Sequence, residues 1–152
     1  MTWNMQKQLG VGAAGEALFL KHWPDKAVRH PVFKGPDFLD SKGRILEVKT
    51  DTYPMQKTPN FFMERWSDRE SGKPGGPWQA HLKGATCFVY MFIGDRTWFV
   101  CEDLPQLCTE LDGLIGAGKL RPKQVMNRGW ITEGYAVPRV ALVRHFREEI
   151  VK

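Results

Sequence analysis

The spacing of hydrophobic and polar positions changes period several times along the chain, and each change marks an element. Leu9, Ala13, Glu16 or Ala17, and Leu20 recur at helical spacing and predict a helix over residues 5–23, which Pro24-Asp25 ends. Gly10, Gly12 and Gly15 lower its helix propensity but would let it lie close against a neighbouring backbone. Residues 27–33 read as a short strand. Phe38, Ile45 and Val48, good strand residues on either side of Lys42-Gly43, predict a β-hairpin. A polar loop over 50–58 and a strand over 60–66 follow. The Gly-, Pro- and charge-rich stretch 67–77 reads as a mobile loop or a functional flap. Pro77 opens a short helix over 78–83. The unbroken apolar run over 86–93 predicts a buried central strand, with a hairpin partner over 97–101. Asp103 caps a helix reaching Ile115. A last strand over 130–137 precedes a closing helix over 138–150, in which Val143, Phe146 and Ile150 share a face. This order predicts an α/β or α+β fold in which a mixed central β-sheet is flanked by helices.

Length and composition narrow the picture. A chain of 152 residues suits a single domain with a real core. The net charge of +5 favours polyanionic partners and says nothing about fold. No apolar run is long enough for a membrane span, and Met1 to Lys7 lack the layout of a signal peptide, so no membrane association is expected. Cys87, Cys101 and Cys108 are odd in number and lack CxxC spacing. They read as small buried hydrophobes in a reducing, cytoplasmic protein, not as disulfides or a zinc cage. The four histidines show no zinc spacing.

The candidate chemistry lies at Pro36-Asp37 and, after nine intervening residues, at Glu47-Val48-Lys49. Glu47 and Lys49 stand two apart on a strand and share a face, while Val48 points into the core. The hairpin returns Asp37 to the side of Glu47, so two carboxylates and an ammonium converge. Two carboxylates about 4 Å apart repel by roughly 4 kcal/mol at an effective dielectric of about 20, and a divalent cation reverses the sign. Mg²⁺ takes one or two carboxylates and completes its shell with water and substrate phosphate. Asp37 and Glu47 would supply the carboxylates and the Val48 carbonyl a further ligand. Such an ion polarises a scissile phosphate and acidifies a water. Lys49 would orient that water or stabilise developing charge. Glu16, on the first helix among small neighbours, is a fourth candidate, its alternative being a solvated helix glutamate. Glu64 could face the same place, with a surface role as the plainer reading. The bland reading of the whole motif is an exposed Glu–Lys pair on a surface hairpin, worth roughly 0–1 kcal/mol.

At these residues the chain resembles the PD-(D/E)XK nuclease superfamily. Gly12 and Glu16 match its GxxxE helix motif, Pro36-Asp37 its PD, and Glu47-Val48-Lys49 its EVK. Within the superfamily the chain is most similar to small Holliday junction resolvases of archaeal and phage type. The motifs occupy about the first third of the chain. The resemblance implies a restriction-endonuclease-like αβββαβ core, dependence on Mg²⁺ or Mn²⁺, and DNA, branched DNA in particular, as substrate. It implies products ending in 5′-phosphate and 3′-hydroxyl. It assigns Asp37 and Glu47 as metal ligands, Lys49 as catalytic and Glu16 as an accessory ligand. It also implies a homodimer, since paired cuts need two sites; the apolar strand over 86–93 or the hairpin after it could supply the interface. Two features depart from the pattern. Val11, not a basic residue, precedes Gly12, and residues 60–77 look like an insertion before the second core helix.

Other cations suggest where nucleic acid would lie. Arg65, Arg69 and Lys73 sit in or beside the Gly/Pro stretch, with Trp66 and Trp78 flanking it and Gln79 and His81 on the next helix. They read as a DNA-contacting flap, cations for phosphate and an indole for stacking. A solvated loop with a tryptophan anchor is the equal alternative. Lys119, Arg121, Lys123 and Arg128 form a second basic cluster, and Arg139, Arg144 and Arg147 a third on the closing helix; each reads as a phosphate-binding surface or, more plainly, as a solvated face. A non-catalytic nucleic-acid binder remains the competing function. So do exonuclease, restriction-type and RNA-directed versions of the same chemistry.

Overall fold

The computed structural model describes residues 5–152, and of residues 5–9 the backbone only. Met1 to Asn4 and the Leu9 side chain, used above in reading a leader and a helical face, lie outside the described residues. In chain order the elements are α1 (Met5–His22), β1 (Ala27–Arg29), β2 (Phe38–Asp40), β3 (Ile45–Asp51), β4 (Asn60–Asp68), β5 (Lys73–Pro74) and α2 (Gly76–Leu82). Then follow β6 (Cys87–Phe92), β7 (Thr97–Cys101), α3 (Leu104–Gly116), β8 (Pro122–Met126), β9 (Ile131–Pro138) and β10 (Arg147–Ile150).

The fold is α/β. A six-stranded sheet runs β1-β2-β3-β6-β7-β10, and a second, four-stranded sheet runs β5-β4-β9-β8. The first sheet is mixed: β3 and β6 are parallel, as a crossover through α2 requires, and its other pairs are antiparallel. Residue alternation assigns the two faces. Leu46, Val48, Cys87, Val89, Met91, Trp98 and Val100 pack with Phe19, Trp23 and Phe38 under α1. Phe88, Tyr90, Phe92, Phe99 and Cys101 pack with α2, α3 and the second sheet. β6 is buried along its whole length between β3 and β7, as its unbroken apolar run demands. It therefore offers no dimer surface, and β7 is covered by β10; the expectation of an interface there is corrected. Among the described residues no helix is long and apolar enough to cross a membrane.

α1 approaches the sheet at one glycine. A Cβ on Gly15 would lie 1.9 Å from Thr50 Oγ1, whereas Gly10 and Gly12 meet nothing within 4 Å. The close approach expected of three glycines is thus needed at Gly15 alone. The strand expected over 27–33 stops at Arg29. A turn follows, with Lys34 at φ 57° and Phe33 exposed. β3 runs two residues past Lys49. β4 reaches Asp68 and turns back into β5, so the expected loop is largely a hairpin, and it belongs to the second sheet.

The closing helix is not formed. Residues 139–142 make one 3-10 turn, and Arg147–Ile150 add to the edge of β7. Val143 and Ile150 are exposed, and Leu142 and Phe146 turn inward, which breaks the helical face. A strand here gives the open N–H and C=O groups of β7 partners that a helix would leave unmade. β8, predicted by no pattern, forms by the same logic along the edge of β9. Its residues are all exposed, so no apolar period marks it.

Candidate active site

The antiparallel register of the β2–β3 hairpin pairs Phe38 with Leu46 and Leu39 with Ile45. One step further, at Asp37 and Glu47, a side chain enters the ladder. Asp37 Oδ2 accepts the Val48 N–H at 2.9 Å. Pro36, buried and without a donor, precedes it. Asp37, Glu47 and Lys49 thus emerge on the face opposite α1, at the end of the hairpin away from its turn.

Both acids are half-buried, and the consequence is electrostatic. Burial first, and the Asp37 carboxylate second, push Glu47 up to about 7; the Lys83 ammonium and the Asp37 backbone N–H pull it the other way. Burial also raises Asp37, against the Val48 hydrogen bond, with Glu16 raising it further. Glu47 Oε2 is buried and accepts no hydrogen bond, the one such side-chain atom among the described residues. A buried oxygen without a donor normally costs stability. Here the atom belongs to one of two acids that raise each other's cost of ionisation.

Glu16 is near enough to raise both acids, but its own carboxylate bonds to Arg29 at 3.0 Å. Among the described residues no group of three His, Cys, Asp or Glu side chains is placed to hold a metal ion. Of the ligands expected from sequence, that leaves Asp37, Glu47 and the Val48 carbonyl as the residues that could hold one. That sparse set suits Mg²⁺ or Mn²⁺, whose remaining positions go to water and phosphate, better than a protein cage does.

One charged neighbour of the site was not assigned to it from sequence, and for a second a surface role was the plainer reading. Lys83, just after α2, lowers the pKa of both Asp37 and Glu47. Only the crossover between α2 and β6 brings it there, so no local pattern could have marked it. Glu64 on β4 is half-buried, not a free surface residue. Burial raises its pKa, and Lys49 is the main charge opposing that rise. Gly75 and Gly76 leave it room: a Cβ on either would fall 2.8 Å from its side chain or 2.6 Å from its carbonyl oxygen.

The residues expected to form a flap are mostly engaged in structure. Trp78 is 7% exposed and donates its indole N–H to Asp112 at 2.9 Å, so no base can stack on it. Arg65 stacks on Trp66 at 3.9 Å and lies 5.0 Å from the Trp78 ring. Arg69 pairs with Glu133 at 3.5 Å. Lys73 is exposed on β5 and Gln79 half-buried on α2. The third basic cluster is likewise occupied. Arg139 donates to the Thr58 carbonyl, Arg144 pairs with Glu110, and Arg147 pairs with Glu102 and Glu149. The three cysteines are free and buried; burial pushes Cys101 to about 11 and Cys108 to about 12, which removes them as nucleophiles.

A cleft of about 580 Å³ opens beside Lys49, between the end of β3 and the second sheet. No family model matches the chain, and no curated protein or solved structure matches it significantly.

Proposed function

We propose that this protein is a divalent-metal-dependent nuclease that hydrolyses DNA phosphodiester bonds at Asp37, Glu47 and Lys49. The observation that carries the reading is the buried, partnerless Glu47 Oε2 beside a second, half-buried acid. Such a pair is costly by itself and favourable around a cation. The order α1-β1-β2-β3, then α2-β6 after the inserted strands β4 and β5, is compatible with the core that the superfamily resemblance implies.

Asp37, Glu47 and the Val48 carbonyl would hold Mg²⁺ or Mn²⁺, which supplies Lewis-acid polarisation of the phosphodiester. Lys49 places an ammonium where negative charge grows on the phosphoryl oxygens, and Lys83 adds a second positive field from α2. Water oxygen bonds to phosphorus, the P–O3′ bond breaks, and the 3′-oxygen takes a proton, leaving 5′-phosphate and 3′-hydroxyl ends. The resemblance alone favours a branched substrate and a two-fold dimer. Free, buried cysteines favour a reducing, cytoplasmic setting.

The absence of a three-acid cage among the described residues favours one second reading, a nucleic-acid binder without catalysis. Incubation with plasmid, linear duplex, single strand and four-way junction, with Mg²⁺, Mn²⁺ or EDTA, separates the two. The expected result is cleavage that EDTA abolishes and that Asp37→Ala or Lys49→Ala lowers by about 10²–10³-fold or more. Binding without metal-dependent cleavage would leave the binder. Equal cleavage by wild type and both variants would identify a contaminant.

A further inference from the structure

We infer that the cleft beside Lys49 is a binding site for an unpaired nucleic-acid strand, one or two nucleotides of which lie between the end of β3 and the second sheet. One wall is Lys49 to Tyr53; the other includes Asn60, Phe62, Lys123 and Val125. The volume, about 580 Å³, is in the range that encloses a small organic ligand, about 300–1,000 Å³, and is far too small for a duplex.

Charge selects a polyanion. Lys49, Lys57 and Lys123 line the cleft, and Asp51 is its one acid. Asp51 is already used: Oδ2 accepts the Tyr90 hydroxyl, and Oδ1 accepts the Tyr53 N–H at 2.8 Å. Neither Lys57 nor Lys123 is in an ion pair with a described residue. They contrast with Arg65 and Arg69, whose charges are occupied elsewhere.

Aromatic surface distinguishes a single strand from a duplex. Tyr53 is 65% exposed in the cleft wall, and Phe62 lines the opposite side. Unpaired bases present free π-faces to such rings, whereas bases inside a duplex are already stacked. Cations along a groove with rings between them are the recurrent means of holding a single strand without reading its sequence. Shared Lys49 joins this cleft to the candidate active site, so a strand lying in it would run toward Asp37 and Glu47. That direction rests on the nuclease reading; the binding does not.

The test is fluorescence anisotropy with fluorescein-labelled oligo-dT of about twelve nucleotides and with a twelve-base-pair duplex, in EDTA so that nothing is cut. The expected result is at least a tenfold preference for oligo-dT. Lys57→Ala/Lys123→Ala should lose tenfold or more and flatten the salt dependence by about 1.4, at 0.7 per lost phosphate contact. Tyr53→Ala should lose several-fold with an unchanged salt slope. Unaltered thermal midpoints for these exposed substitutions confirm folding. Equal affinity for duplex and single strand, or a double variant that binds like wild type, overturns the inference. Retained binding with no cleavage by the wild type would sink the nuclease reading and leave this site standing.

Discussion

Asp37 and Asp40 lie three residues apart on one strand edge, and the two ends of their hairpin are built on opposite principles. Asp40 is buried, and its carboxylate accepts from the Trp23 indole at 3.0 Å, from the Lys42 and Arg44 backbone N–H groups, and from Arg44 Nε at 2.7 Å. Burial alone would raise its pKa, but the Trp23 and Arg44 hydrogen bonds outweigh it and hold the carboxyl below its ordinary value. Arg44 in turn reaches Asp25 and Glu102 and lies over the Trp23 ring. At the other end Asp37 has one backbone donor, and Glu47 keeps an oxygen with none. Burial opposes ionisation at all three acids; the pKa falls where the protein supplies donors and rises where it withholds them. The first end holds the hairpin together. The second carries unspent electrostatic energy, which is what a cation site requires.

Three outcomes would break or sharpen this contrast. The largest belongs to the turn end. Asp40→Ala strips Arg44 of its buried partner and should cost about 3–5 kcal/mol in urea denaturation. A loss under about 1 kcal/mol would mean that the network is ornamental. The intermediate effect has the opposite sign and sits at the open end. Glu47→Gln removes one of two repelling charges, so in EDTA it should leave stability unchanged or raise it by about 0.5–2 kcal/mol, and in Mg²⁺ it should lose cleavage. Destabilisation by Glu47→Gln would show that this acid is structural after all.

The smallest effect is a pH dependence. Arg44 and then Arg147 hold Glu102 below its ordinary value, as Trp23 and Arg44 do Asp40. For both acids the unfolded chain takes up protons first as pH falls. The stability they contribute is therefore present above the ordinary carboxyl pKa, about 4, and is lost as pH drops through the lower folded values. The share of half-exposed Glu102 is under about 1 kcal/mol. Denaturation of Glu102→Gln below pH 4 should show a shallower acid limb than wild type; a parallel limb would remove Glu102 from the account.

Much of this was legible locally. The hairpin, the buried strand at 86–93 and the helix capped by Asp103 follow from patterns that act over a few residues. Asp103 indeed accepts the Gln106 N–H. Trp78 and Arg65 misled because an indole beside cations reads alike whether it faces solvent or Asp112. The final segment misled because Val143, Phe146 and Ile150 fit a helical period while a free strand edge on β7 offered better hydrogen bonding.

By itself the amino-acid order determined the α/β class, the hairpin that sets Asp37 beside Glu47, and the shared face of Glu47 and Lys49. These depend on alternation and turns, interactions short in sequence. Tertiary structure alone decided which charges are free. It brought Lys83 to the site, settled that Glu64 is half-buried near Lys49, tied Arg65 and Arg69 away, and opened a cleft onto Lys57 and Lys123. Burial and ion pairing are set by neighbours distant along the chain, and only packing decides who those neighbours are.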